Sequence, residues 1–248
     1  MRSRSRYTTI SGIVLRRRSR PNGDALVTLL SPAGKRVLLA RAGKSSAGNA
    51  GRLSLFNDVT VQYYLRREDA LPIVTQVSLN GMLTRLSEPD LYPLAHVLAE
   101  LADVLSVDVH HGEPLHDYLA SGFRGLVRHP DPEKVTLSYA WALLRLAGLS
   151  PDGSACGRCG SSAALRSLDI PEGFLLCAAC SSGPLPDGEL IRELQVLAAG
   201  LVRPALELGL ADRTGHWRLL NRWLDRHVDR LKSSQGQPLP VPGAAAGA

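Results

Sequence analysis

Cys156-Gly-Arg-Cys159 and Cys177-Ala-Ala-Cys180, with seventeen residues between the pairs, decide how the second half of this chain is read. The pattern C-x2-C-x17-C-x2-C falls within the spacing of four-thiolate zinc sites. Zinc takes four soft ligands at tetrahedral corners, and each short C-x-x-C turn aims two sulfurs at one point. Gly157 and Gly160 suit the tight backbone of such turns. These are the only four cysteines in 248 residues, so none is left over. The segment is too short to bury a core of its own, and a metal would have to hold it together. Two disulfides or four unlinked thiols are the alternatives. Four thiolates fill the zinc shell, so the site reads as one structural Zn2+ with no open position for catalysis.

Outward from the cysteines the pattern is helical on both sides. Upstream, Pro89 and Asp90 open a helix with Leu91, Leu94, Ala95, Leu98, Leu101, Ala102 and Leu105 on one stripe. Pro114 opens a second, carrying Leu115, Tyr118, Leu119, Gly122 and Leu126. Asp131 is a good N-cap with Pro132 at the first helical position, for a third helix ending near Gly148. Downstream, Asp187 caps a fourth helix that Pro204 is expected to break or kink. A last helix, about 216–232, turns Trp217, Leu220, Leu224 and Leu231 inward. The cysteine segment therefore interrupts a helical bundle as a finger-like insertion.

The first 80 residues have a different period. Tyr7–Leu15, Ala25–Leu30, Lys35–Ala40, Leu55–Leu65 and Leu71–Leu79 read as five short strands, with no strong helix among them. A Gly- and Ser-rich link, Ala42–Ser54, follows the third. Five strands with a long link at that place fit an OB-fold barrel, with a small SH3-like barrel as runner-up. The expected fold is thus α+β and multidomain: an OB-fold nucleic-acid-binding domain over 1–80, a helical domain over 81–150 and 186–232, a zinc-finger insertion over 151–185 and a disordered tail over 233–248. Arg2, Arg4 and Arg6 sit in a serine-rich leader.

Charge follows the same division. The chain carries a net +6, but residues 1–80 hold 14 Lys and Arg against 4 Asp and Glu, whereas the remainder holds 15 against 19. A basic block confined to one half suggests a polyanion partner for that half, against the plain alternative of a solvated basic face. The candidate contacts for such a polyanion are Arg16, Arg17, Arg18, Arg20, Lys35, Arg36, Arg41, Lys44 and Arg52. Tyr7, Phe56, Tyr63 and Tyr64 are each read as core and not as stacking platforms, so binding is expected to lean on phosphates.

Other chemistry finds little purchase. Gly43-Lys44-Ser45 looks like the end of a P-loop, but Leu38 stands where the motif needs glycine. His110, His111, Glu113, His116 and Asp117 read as a polar loop and helix start. No nucleophile elbow, H-E-x-x-H or dinucleotide fingerprint occurs, and nothing compels a catalytic reading. No apolar run approaches a membrane span and no secretory signal opens the chain, which points to a reducing, cytoplasmic compartment.

Gly12-Ile-Val-Leu15, Asp24-Ala-Leu-Val-Thr-Leu29 and Gly34-Lys35 leading to Ala40-Arg41-Ala42-Gly43, joined to this domain order and the four-cysteine finger, resemble the RecO family of bacterial DNA repair and recombination mediators. The resemblance covers nearly the whole chain apart from leader and tail. It implies binding of single- and double-stranded DNA, annealing of complementary strands and, with RecR, loading of RecA onto DNA coated by single-strand-binding protein (SSB), without covalent chemistry and in association with the nucleoid. The chain departs from the family in one place: the link after the third strand is usually rich in basic residues, and Ser45–Gly51 holds none. That shifts weight to Arg16–Arg18, Arg20, Lys35, Arg36 and Arg41. Some family members lack the cysteines, which makes the zinc structural.

The resemblance also implies that the helical domain receives the acidic tail of SSB. Arg218, Arg222, Arg226 and Arg230 recur every four residues along one stripe of the last helix, and Arg222 and Arg226 are the candidates for that contact, against an ordinary solvated face. A transcription or translation factor with an OB barrel and a zinc ribbon is the competing function. A zinc-dependent nucleic-acid enzyme and a protein-interaction scaffold are further alternatives.

Overall fold

Strand β1, Tyr7–Ser19, is long enough to pair twice. Its first half runs antiparallel to β4 (Asp58–Tyr64), and its second half runs antiparallel to β2 (Ala25–Ser31). The ladder shifts register between Val14 and Arg16, a bulge that bends the strand between its two partners. Gly12 sits just before the bend, where a Cβ would fall 2.4 Å from the carbonyl oxygen of Leu30; only glycine lets β2 approach this closely. With β3 (Gly34–Ala40) and β5 (Ile73–Gly81), the order β1-β2-β3-β5-β4 returns to β1 and closes a barrel. The computed structural model behind this description covers residues 7–42, 47–67, 70–106, 112–182 and 188–228. The leader, the tail, Lys44, His110, His111, Asp187, Arg230 and Leu231 lie outside the described residues.

The run Ile13-Val14-Leu15 is apolar because this part of β1 is buried on both faces. Val14 points into the barrel with Val27, Leu29, Leu38, Val59, Val61 and Val77. Ile13, Leu15 and Leu30 point outward and join the core of the helices. The Gly- and Ser-rich link after β3, in a stretch with no strong helix expected, contains a short one, α1 (Ala47–Arg52). Glycine and asparagine give this six-residue segment little helix propensity. Leu53, fully buried among the barrel core residues directly after it, holds α1 against the barrel.

The helices follow the apolar stripes closely. α2 (Tyr92–Leu105), α3 (Gly112–Arg128) and α4 (Pro132–Leu146) bury Leu94, Leu98, Leu101, Leu115, Leu119, Leu126, Val135 and Leu143. Asp131 caps α4, its carboxylate accepting the Lys134 N–H at 3.1 Å. α5 (Gly188–Ala198) does not end at Pro204 as expected: it ends near Gly200, which has a φ of 73°. Pro204 instead lies in the first turn of a new helix, α6 (Val202–Glu207), where a missing N–H costs nothing. α7 spans Arg213–His227 and begins three residues before the expected start, because the Asp212 carboxylate accepts the Gly215 N–H at 2.8 Å.

Between α4 and α5, β6 (Leu165–Asp169) and β7 (Phe174–Cys177) form a hairpin. This segment buries its apolar residues in the core of the helices and not in a core of its own. Leu165, Leu175 and Leu176 belong to the same core as Ile191, Leu194 and Trp223. A hydrogen bond of 2.7 Å from His227 Nε2 to the Ile170 carbonyl ties the hairpin to α7.

Candidate metal centre and nucleic-acid interface

The hairpin brings the four cysteines together. Their sulfurs all lie within 4.8 Å of one another, and Cys159 and Cys177 are 3.8 Å apart. A tetrahedral site with metal–sulfur bonds of about 2.3 Å has edges of about 3.8 Å. No cysteine is in a disulfide, which needs sulfurs about 2.0 Å apart. The first turn is closed by Gly160 N–H on the Cys156 carbonyl at 2.8 Å, the second by Cys180 and Ser181 N–H on Cys177 at 3.1 and 3.0 Å. The two glycines serve different ends. Gly160 supplies a φ of 71°, whereas Gly157 supplies space: a Cβ there would sit 2.2 Å from the Phe174 ring. The backbone amide of Cys177, and then that of Cys159, lower the Cys156 thiol to about 6. Hydrogen bonds with Cys159 and then Cys177 push Cys180 up to about 12. Both shifts arise because the sulfurs and the backbone amides of the turns crowd around one point. The donor set and its spacing fit a four-thiolate metal. Among the described residues no other group of His, Cys, Asp and Glu does so; Glu113, His116 and Asp117 are a helix start, with His116 Nδ1 3.1 Å from Asp117.

The cations of the barrel separate into three groups. Arg16 and Lys35 face α2, where the Asp103 carboxylate lies 2.6 Å from Arg16 and 3.0 Å from Lys35. Arg17 and Arg41 come together at the end of the barrel, around a small cleft with Asn49, Leu53 and Val74. Arg18, Arg20 and Arg36 are exposed. Arg52 is exposed too, with one guanidinium N–H on the Val77 carbonyl at 3.0 Å. Lys44 lies outside the described residues. Arg66 and Arg67, exposed directly after β4, add two cations that the sequence reading omitted although they stand beside a strand rich in tyrosine.

The aromatic residues divide evenly. Tyr63 is buried in the barrel. Phe56 is buried between barrel and helices, its ring 5.3 Å from that of Phe123 and 5.6 Å from that of Tyr92. Tyr7 and Tyr64 are not core: they pair on the outside of the barrel, 6.0 Å apart, with Tyr7 55% exposed. The period of two places Tyr63 inward and therefore Tyr64 outward, a signal available in the sequence.

On α7, Arg218, Arg222 and Arg226 are exposed as one stripe. Arg222 also borders a groove between the hairpin and the helices, with Leu168, Ile170, Leu176, Ile191 and Leu219. Among the described residues no helix is long and apolar enough to cross a membrane.

Two family descriptions match this chain: Recombination protein O N terminal over residues 2–82, and Recombination protein O C terminal over residues 86–235. The chain is similar to a DNA repair protein RecO of Desulfatibacillum aliphaticivorans, 28% identical over 243 residues, which span 91% of this chain and 89% of that one. It is 30% identical over 239 residues to a DNA repair protein RecO of Anaeromyxobacter sp. (strain K), spanning 89% of this chain and 91% of that one. With a DNA repair protein RecO of Bacillus cereus (strain B4264) the identity is 24% over 195 residues, spanning 76% and 77% of the two chains.

Proposed function

Because this chain belongs to the RecO family, whose relatives are DNA repair proteins, we propose that it is a recombination mediator that handles DNA without covalent chemistry. It binds single- and double-stranded DNA, anneals complementary strands and, with RecR, helps load RecA onto SSB-coated single strands in the nucleoid of the cytoplasm. The observation that carries this reading is the basic barrel: strand order β1-β2-β3-β5-β4 with a helix before β4 is read as an OB-fold, and exposed Arg17, Arg18, Arg20, Arg36, Arg41 and Arg52 decorate it. Annealing needs a cationic surface that screens two phosphate backbones from each other, and the excess of ten positive charges in residues 1–80 supplies one.

The remaining domains take supporting roles. The α2–α7 helices are read as a bundle interrupted by the β6–β7 finger. Cys156, Cys159, Cys177 and Cys180 would hold one Zn2+, which supplies the cross-link that fixes the finger on the helices and no reaction step. Arg222 and Arg226 would meet the acidic tail of SSB. A strand-annealing assay on purified protein, with and without SSB, tests the whole. Faster annealing of both naked and SSB-coated strands is the expected result. No acceleration on either substrate would overturn the mediator reading and favour the OB-fold and zinc-ribbon transcription or translation factor, whose binding would be specific for a defined RNA or DNA.

A further inference from the structure

The outer face of β1, β4 and β5 has no part in the cationic reading. Directly paired strand residues share a face. Val61 and Tyr63 are buried inward, so the alternate pairs Tyr7↔Tyr64, Thr9↔Gln62 and Ser11↔Thr60 face outward. Gln62↔Gln76 and Thr60↔Ser78 carry the same rows onto β5. None of these outward side chains is charged. Ser11 and Thr60 share a hydrogen bond of 2.7 Å, and Thr60 donates to Asn80 at 2.9 Å, which holds the hydroxyls in fixed rows. The tilted rings of Tyr7 and Tyr64 stand at one end of this face, and Arg66 and Arg67, both exposed, follow Tyr64 in the chain.

An exposed sheet face usually carries Lys and Glu; this one offers amides, hydroxyls and two phenol rings, its one carboxylate, Asp58, lying at the end away from the tyrosines and held by Asn80 at 3.0 Å. Rings can stack on the flat faces of bases, amides and hydroxyls can bond to base edges, and arginines can take phosphates. We propose that Tyr7 and Tyr64 form a stacking platform for unpaired bases of single-stranded DNA, with Arg66 and Arg67 holding the adjoining phosphates. The inference rests on the reading of the barrel as a DNA-binding domain and adds a site separate from the Arg17–Arg41 cleft. Bases inside a duplex have both faces covered by their neighbours, so this platform serves single strands and leaves duplexes to the cationic surface.

The test compares full-length protein and its variants on three labelled substrates at one salt concentration: an oligothymidine strand, an abasic strand of equal length and a duplex. Losing a stacked base lowers affinity by about 5- to 150-fold. Tyr7→Ala/Tyr64→Ala is expected to show a loss in that range on oligothymidine and none on the abasic strand or duplex. Tyr7→Phe, which keeps the ring, is expected to bind as wild type. Circular dichroism checks that the double variant folds. Wild-type affinity of the folded double variant for oligothymidine would overturn the platform while leaving the DNA-binding reading intact. So would an equal loss on all three substrates. Failure of the wild-type protein to bind any of the three would overturn that reading itself, and the platform with it.

Discussion

Asp103 of α2 reaches across to β1 and holds Arg16, carboxylate to guanidinium, at 2.6 Å. The same carboxylate takes Lys35 of β3 at 3.0 Å, so one acid on the helical side pairs with two cations of the barrel and offsets one of their two charges. Asp103 is 8% exposed overall, whereas the side chains of Arg16 and Lys35 keep 30% and 25% of their surface. A phosphate approaching this edge of the barrel therefore competes with Asp103 for both.

Asp103→Asn should release Arg16 and Lys35. We expect folding stability to fall by about 1–3 kcal/mol, the scale of a lost charge-assisted contact in a partly buried site. DNA affinity should rise, and its salt dependence should steepen by about 0.9 for each cation that gains a phosphate. Denaturant melts and salt titrations of DNA binding measure the two effects. An unchanged affinity and salt dependence in a folded variant would show that these cations only pack the barrel against α2 and never meet phosphate.

The exposed cations make a separate expectation. If the barrel neutralises about 6–10 phosphates, affinity should fall about 10³- to 10⁵-fold between 50 and 200 mM salt. Arg17→Glu/Arg36→Glu/Arg41→Glu should weaken binding to every sequence alike, since phosphates carry no sequence information. Binding that is indifferent to salt, or to this triple reversal, rejects the phosphate-contact account.

How far the sequence anticipated this structure depends on the kind of signal. The helical stripes were legible because three- and four-residue spacing fixes which side chains face inward whatever the partner. The cysteine cluster was legible because ligand chemistry constrains spacing. Contacts between remote segments were not. Nothing local marks Asp103 as the partner of Arg16 and Lys35, since the pairing arises from where α2 crosses the barrel. Phe56 adopts a φ of 68°, rare for a bulky side chain, because its ring is drawn in between α2 and α3 while its N–H bonds to the Val14 carbonyl at 2.9 Å. Trp223 was passed over among the arginines of α7, yet it is 2% exposed and donates to the Leu149 carbonyl at 2.8 Å.

The metal prediction follows from that shared core. One zinc per chain is expected, and Cys177→Ser should remove it. Zinc binding in finger peptides is worth about 10–16 kcal/mol, far more than a hairpin of two short strands recovers without it. Leu165, Leu175 and Leu176 pack with α5 and α7, so the loss should reach beyond the finger. Metal analysis should find no zinc in the variant, and hydrogen exchange should quicken in β6, β7, α5 and α7 while β1–β5 stay protected. Full protection of α5 and α7 in a zinc-free variant would show that the helices stand without the metal.

Arg222 and Arg226 allow the proposed contact with an acidic tail to be tested. An acidic tail with a hydrophobic end needs an apolar pocket and cations beside it. Arg222 borders a groove whose lining includes Leu168, Ile170, Leu176 and Leu219, and Arg226 is exposed one turn further along α7. Asp169 also lines the groove, with the exposed Arg158 3.4 Å away, so its charge is partly offset there. A charge-assisted hydrogen bond contributes about 1.5–3 kcal/mol, or about 10- to 150-fold in affinity. Titration with a labelled peptide of the SSB tail should show a loss in that range for Arg222→Glu and a larger one for Arg222→Glu/Arg226→Glu. Leu219→Asp, which places a carboxylate in the groove lining, should weaken the peptide while sparing DNA. If the arginine variants fold, bind DNA and keep full peptide affinity, the tail docks elsewhere and this stripe is only the solvated face of α7.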